Sequence, residues 1–198
     1  MIGIGLLLAA VSGLGEAAFD GPTLLPGWTR KHLAAHVAAN ADAIGNLVAW
    51  AATGVETPMY RSADERAAGI ARGPGMAAEE LRSWLRTSAE QLADAMDRLD
   101  DAAWRHEVVT AQGRTVPASE TPWMRAREVC VHAVDFDLGI GFADLPEDFL
   151  RALCDDIRAK RGLTELTELT AGPLPEVAAW LAGRPHSLAD APPLGPWL

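Results

Sequence analysis

Three side chains set in apolar helical stretches have the types and spacing to hold one metal ion. Glu128 and His132 lie among Val129, Cys130, Val131, Ala133, Val134 and Phe136. Four residues turn an α-helix by about 400° and advance it by about 6 Å, so the two side chains stand one above the other on one face. A carboxylate and an imidazole so placed can reach a single ion, as do the carboxylate–histidine pairs of metal-binding bundles, which use a three-residue step. A third ligand must come from a facing helix. His36, in Leu33-Ala34-Ala35-His36-Val37, meets that need, and His32, one turn earlier, competes with it; spacing leaves both open. Three protein ligands leave positions for water or substrate, the pattern of a catalytic site. Imidazole with carboxylate suits Zn²⁺, and Fe²⁺, Ni²⁺ or Mn²⁺ are compatible. A Glu-x-x-x-His pair is often only a solvated contact on a helix surface. The apolar surroundings argue for a site here, because an unpaired buried carboxylate and imidazole are costly.

Helices must position these groups. The first is expected over about 4–19, stopped by Asp20-Gly21-Pro22. The second starts after Thr29, a good N-cap, and runs to about Thr53 with Gly54 as its stop. Residues 56–75 read as a long loop with one short helix, and long loops in compact domains are often functional. A third long helix covers about 77–99, with Leu81, Trp84, Leu85, Leu92 and Met96 as its core stripe. Two short β-prone runs around Ala111-Gln112-Gly113 read as a hairpin. Thr121 is expected to cap a fourth helix, with Pro122 at its first position, running to about Ile140 and stopped by Gly141. A fifth helix opens at Pro146, and a short one follows near 175–182. Four long helices before residue 141 predict an antiparallel bundle over 1–145, with 146–198 as a small appendage.

The bulk numbers exclude several classes. The chain has 198 residues, 49% of them hydrophobic, enough for a real core. A formal net charge of -10 with no basic cluster argues against nucleic acid. The apolar run 2–11 is too short to span a bilayer and lacks the flanks of a signal peptide, so a buried first helix in a cytoplasmic protein is expected. Cys130 and Cys154 read as buried free thiols. His106 and His186 sit in exposed-looking contexts without a role. Trp28, Trp50, Trp84, Trp104 and Trp123 read as core anchors, and Arg125 and Arg127 as helix-surface residues that could otherwise bind carboxylates. Asp135, one turn past His132, could orient its imidazole. Tyr60 and Arg61 could line the mouth of the site.

The sequence also resembles a known family. Leu25-Pro26-Gly27-Trp28-Thr29-Arg30 followed by His32 and His36 looks like the opening motif of mycothiol-dependent maleylpyruvate isomerases. Asn40-Ala41-Asp42-Ala43, Asn46-Leu47 and the run from Thr53-Gly54 to Met59-Tyr60 continue the match. Met124-Arg125-Ala126-Arg127-Glu128-Val129 with His132-Ala133-Val134-Asp135 resembles its second metal motif, and Ala179-Trp180-Leu181-Ala182-Gly183-Arg184 and Pro196-Trp197-Leu198 its tail. The resemblance implies a mainly α fold, a DinB-like four-helix bundle with a small C-terminal α/β or irregular appendage, shorter than usual in this chain. It implies His36, Glu128 and His132 as ligands, favouring His36 over His32, with zinc and mycothiol as cofactors. It implies cis–trans isomerisation of maleylpyruvate by reversible thiolate addition, with Arg184 stabilising the enolate. The partners expected are a small-molecule substrate and a low-molecular-weight thiol, in a monomer or homodimer. A DinB-like thiol S-transferase acting on another electrophile, and a non-catalytic binding or regulatory bundle, are the alternatives.

Overall fold

The computed structural model describes residues 2–163, 172–195 and 197. It divides into two compact units, Gly3–Phe136 and Asp137–Leu198. In the first, α1 (Ile2–Ser12) and α2 (Glu16–Phe19) replace the single first helix expected, because Gly13 and Gly15 interrupt it. The central element is α3 (Arg30–Thr53), a 24-residue helix that packs against α4 (Ala63–Ala71), α5 (Ala78–Asp97) and α7 (Thr121–Asp135). Its faces carry Ala34, Ala35, Ala38 and Ala41, all fully buried, which let neighbouring helices approach closely. Gly54, at φ 71°, closes α3 in the left-handed conformation expected of it.

Helix directions differ from a simple antiparallel bundle. Gly73, just ahead of α5, lies against the start of α3; a Cβ there would stand 2.5 Å from the Lys31 carbonyl oxygen and 2.7 Å from Ala35 Cβ. Farther on, Trp84 of α5 donates through Nε1 to Asp42 of α3 (2.8 Å). The two helices therefore run the same way. The segment read as a long loop supplies the return through α4, a crossover of the kind many bundles use. By contrast α7 runs against α3: Arg125 near its start meets Val37 and Asn40, and Phe136 at its end meets Arg30.

A short helix, α6 (Asp101–Arg105), precedes the two-stranded hairpin of β1 (Glu107–Val109) and β2 (Thr115–Pro117). Val108 and Val116 pair across it and bury their side chains on Ile44, Leu47, Val48, Leu92 and Met96, closing one end of the core. Helix α7 ends at Asp135, earlier than expected. Asp137 and Gly139 adopt φ of 54° and 84°, which a helix does not allow. Thr121 is its first helical residue rather than its cap, and its hydroxyl donates to the Ala118 carbonyl (2.7 Å). In the second unit, α8 (Glu147–Arg161) presents Leu150, Leu153, Cys154 and Ile157 at helical spacing and packs on α9 (Leu174–Leu181), whose Trp180 is fully buried and donates to the Pro192 carbonyl (2.7 Å). Among the described residues no helix is long and apolar enough to cross a membrane.

The N-terminus of α3 settles what His32 does. The Thr29 backbone N–H donates to His32 Nδ1 (3.1 Å), and Thr29 Oγ1 lies 2.8 Å from the same nitrogen. His32 thus completes the cap of α3. His32→Ala is expected to lower stability by about 1 kcal/mol, the typical cost of a lost cap. Chemical denaturation checks the loss, and metal analysis of the same variant should find the wild-type metal content.

Candidate metal centre

Helices α3 and α7 bring His36, Glu128 and His132 together, with one ligand atom from each lying within 4.8 Å of the others. His36 Nε2 stands 3.2 Å from Glu128 Oε2, and His132 Nε2 stands 3.3 Å from the same oxygen. The imidazoles meet edge to face, with centroids 5.0 Å apart. His132 is 2% exposed, and its Nε2 is a buried nitrogen without a hydrogen-bond partner. Two imidazole nitrogens and a carboxylate oxygen facing one point, one of the nitrogens unspent, form a donor set that fits a divalent cation.

The surroundings hold this geometry. Asp135, fully buried, lies with Oδ2 2.8 Å from His132 Nδ1. That contact fixes the ring and directs Nε2 at the centre, the usual job of a carboxylate behind a ligating histidine. The backbone beyond is also tied down. Leu24 N–H donates to the Asp135 carbonyl (2.9 Å), and Arg30 Nε donates to the Phe136 carbonyl (2.7 Å). Trp28 covers His36 edge-on, with centroids 5.5 Å apart. It is therefore a wall of the site and not only a core anchor.

Arg125 departs most from its expected place. It is 1% exposed, not on the helix surface, and one turn from Glu128 on α7. Its Nη1 donates to the Val37 carbonyl (2.8 Å) and to Asn40 Oδ1 (2.9 Å). Those residues follow His36 by one position and by one turn, so the guanidinium locks α3 and α7 in the register that sets His36 opposite Glu128. Burial pulls its pKa down to about 10, with Glu128, Asp42 and Tyr60 opposing the fall. Sequence patterning missed this role because an Arg on an amphipathic helix normally faces water.

The other candidates separate. Tyr60 is half-buried, and burial pushes its phenol above the usual value against the pull of nearby Arg66. Arg61 turns away to solvent and pairs with Glu65 (2.7 Å). Arg66 of α4, a residue the sequence did not single out, adds a downward pull on His36 that is weaker than the effects of burial, Glu128 and His132. Arg184 lies in the second unit, 5% exposed, with Nη1 donating to the carbonyls of Ala182 (2.6 Å) and Trp197 (2.7 Å). Cys130 and Cys154 are buried free thiols as expected, and burial pushes Cys130 up to about 12.

The electrostatics give the cluster a defined pH response. Burial works against the Glu128 charge, but the facing His132 and His36 rings overcome it and hold the carboxyl well below the usual range. Burial also keeps His36 below the ordinary imidazole value despite Glu128. For His132 burial is outweighed by Asp135 and Glu128, which raise it to about 8. In metal-free protein the His132 proton therefore stabilises the fold fully below the ordinary 6.5, and that contribution is lost as pH rises through about 8. A cation competes with the same proton. Chelator competition should show metal affinity climbing with pH up to about 8 and flattening above it, because His36 and Glu128 are already deprotonated there. Affinity independent of pH between 6.5 and about 8 would contradict this. Asp135→Asn is expected to weaken metal binding by about 10–100-fold, read by the same titration.

Known proteins with this architecture bear on the site. The model of the mycothiol maleylpyruvate isomerase N-terminal domain matches residues 4–137, the span that contains all three candidate ligands. A crystal structure of a mycothiol-dependent maleylpyruvate isomerase superposes with a TM-score of 0.90 at 39% identity, covering 99% of this chain and 93% of that one. A histidine-to-alanine mutant of such an isomerase matches with a TM-score of 0.90 at 38% identity and the same coverage. No curated protein matches the chain. A model matching well over half the chain and a relative of this identity along its whole length leave one conclusion: the chain belongs to the mycothiol maleylpyruvate isomerase family.

Proposed function

We propose that the protein is a zinc- and mycothiol-dependent isomerase that converts maleylpyruvate to fumarylpyruvate. The observation that carries this reading is the convergence of His36 Nε2 and His132 Nε2 on one oxygen of Glu128 in a chain of this family. His36, Glu128 and His132 would hold the ion. When bound, zinc supplies a positive charge that keeps a low-molecular-weight thiol ionised near neutral pH, where a free thiol with pKa about 8.5 is mostly protonated. The reaction is reversible addition of that thiol across the conjugated double bond. The bond becomes single, rotates, and becomes double again as the thiol leaves, so the thiol is regenerated.

The chain's own residues provide the frame. Asp135 holds the His132 ring, and Arg125 holds the helix register. Trp28 shields His36 from water on one side. The intermediate is an enolate, which a cation stabilises without proton exchange at any working pH. Arg184 is proposed for that role. Its guanidinium is buried, and Nη1 is fixed by two carbonyl groups. Those same bonds would serve a purely structural arginine that closes the end of α9, so the two roles need separating by experiment.

The test is isomerisation of maleylpyruvate by the zinc-loaded protein, followed by NMR, with and without mycothiol. Turnover requires both. Glu128→Ala should lose metal and activity while circular dichroism still reports a folded bundle; wild-type turnover by this variant without bound metal would overturn the reading. Arg184→Lys should keep metal and fold but lose most of kcat, since Lys lacks the planar fork. Near-wild-type turnover in Arg184→Lys would leave only the structural role.

A further inference from the structure

In the second unit, residues 191–195 and Trp197 form neither helix nor strand. Pro192 and Pro193 have no backbone N–H and a fixed φ, so this segment offers more acceptors than donors. Three of its carbonyl groups are taken up by side chains of α8 and α9 and of the turn that ends α9. Trp180 Nε1 donates to Pro192 (2.7 Å), Arg161 Nη2 to Gly195 (2.5 Å) and Arg184 Nη1 to Trp197 (2.7 Å). The Lys160 ammonium lies 5.6 Å from the centre of the half-buried Trp197 ring, within reach of a cation–π contact.

Two different sets of bonds hold Arg184. Its backbone is fixed locally. Gly183, at φ 67°, closes α9 in the left-handed conformation. The Gly183 N–H donates to the Trp180 carbonyl (2.9 Å), and the Arg184 N–H donates to the Ala179 carbonyl (2.9 Å). This glycine closure needs nothing beyond the helix itself. The guanidinium is held differently. One of its acceptors, the Ala182 carbonyl, belongs to the same turn, and a single bond to it lets the group pivot. The second, the Trp197 carbonyl, comes from 13 residues further along the chain. A planar guanidinium whose Nη1 meets two carbonyl oxygens has its direction set.

We infer that Trp197, with the segment leading to it, is a positioning residue for Arg184: its carbonyl fixes the direction in which the guanidinium is presented to the reacting enolate. The inference rests on the enolate-stabilising role proposed above for Arg184. A cation stabilises developing charge best when it is already in place and need not reorganise. A mobile arginine must be ordered at each turnover, whereas one held by the Trp197 carbonyl is ordered beforehand. The Pro196-Trp197-Leu198 motif, which metal binding leaves unused, thereby gains a role through Trp197.

Trp197→Ala removes the ring beside Lys160 and loosens the carbonyl behind it. The first readout needs no turnover. In nitrogen-15 NMR of the side chains, a held Arg184 rotates slowly about its Nε–Cζ bond and shows resolved Nη signals; Arg184→Lys identifies them by their loss. Trp197→Ala should collapse these signals, and Trp197→Phe, which keeps a ring over Lys160, should restore them. In turnover, Trp197→Ala should lower kcat about tenfold with the KM for maleylpyruvate and the metal content little changed, and Trp197→Phe should recover the rate. In an Arg184→Lys background Trp197→Ala should lower kcat no further, because the group it acts through is already gone. Arg161→Ala, which removes the bond to Gly195 from a different helix, provides a second variant and should act in the same direction. Nη signals unchanged in both Trp197→Ala and Arg161→Ala, wild-type kcat in both, or losses that simply add to that of Arg184→Lys would overturn the inference. Signals that collapse in Trp197→Ala, in a protein that does not isomerise maleylpyruvate, would sink the proposed reaction and leave the hold of Trp197 on Arg184 standing.

Discussion

A carboxylate placed between two helices, with an imidazole from each aimed at it, is the constraint that organises the first unit. A carboxylate largely withdrawn from water costs several kcal/mol when nothing compensates it. Glu128 therefore dictates what must surround it: His36 from α3, His132 one turn along α7, and a compensating charge, whether the His132 proton or a cation. Proton and metal compete for one place. That competition makes the site responsive to pH.

Holding the three ligand atoms within 4.8 Å of one another takes more than the ligands themselves. Helix register is set by Arg125, whose two bonds to α3 fall next to His36 and one turn beyond it. Ring orientation is set by Asp135, and the end of α7 is pinned by Leu24 and Arg30. Each of these holds a backbone or ring that also bears a ligand. The alanines of α3 and the close approach of Gly73 permit the tight packing, since bulkier side chains would push the neighbouring helices away. The scaffold and the site thus use the same contacts, so changes at Arg125 or Asp135 act on chemistry and on stability together.

Division of labour follows from which unit holds each group. The metal ligands and the residues that aim them belong to the first unit, whereas Arg184 and the Trp197 carbonyl that fixes it belong to the second. The backbone of Arg184 is set by the end of α9, but its guanidinium depends on a segment without regular structure. Such a segment can change the aim of one cation without disturbing the metal ligands.

Much of this was legible in the residues themselves. The four-residue step from Glu128 to His132 puts both on one helical face whatever the tertiary structure, and the apolar run around them implies burial. Gly54 as a stop for α3 and Thr29 as its cap are local backbone chemistry, and both appear where the sequence places them. Helix ends that depend on backbone torsions were less legible. Asp137 in the left-handed region ends α7 before Gly141, the stop its sequence predicts, and Gly13 with Gly15 splits the first helix despite its continuous apolar pattern. Only tertiary structure could choose between His32 and His36, because one turn of helix separates them and spacing treats them alike. The choice lies in which imidazole the Thr29 backbone claims and which one faces α7. Arg125 is the same lesson in charge: its residue type predicts exposure, and only the carbonyl and amide oxygens waiting on α3 make its burial affordable. Periodicity is written along one chain segment, but the partners that satisfy a buried polar group come from another, and the sequence does not say which segment will face it.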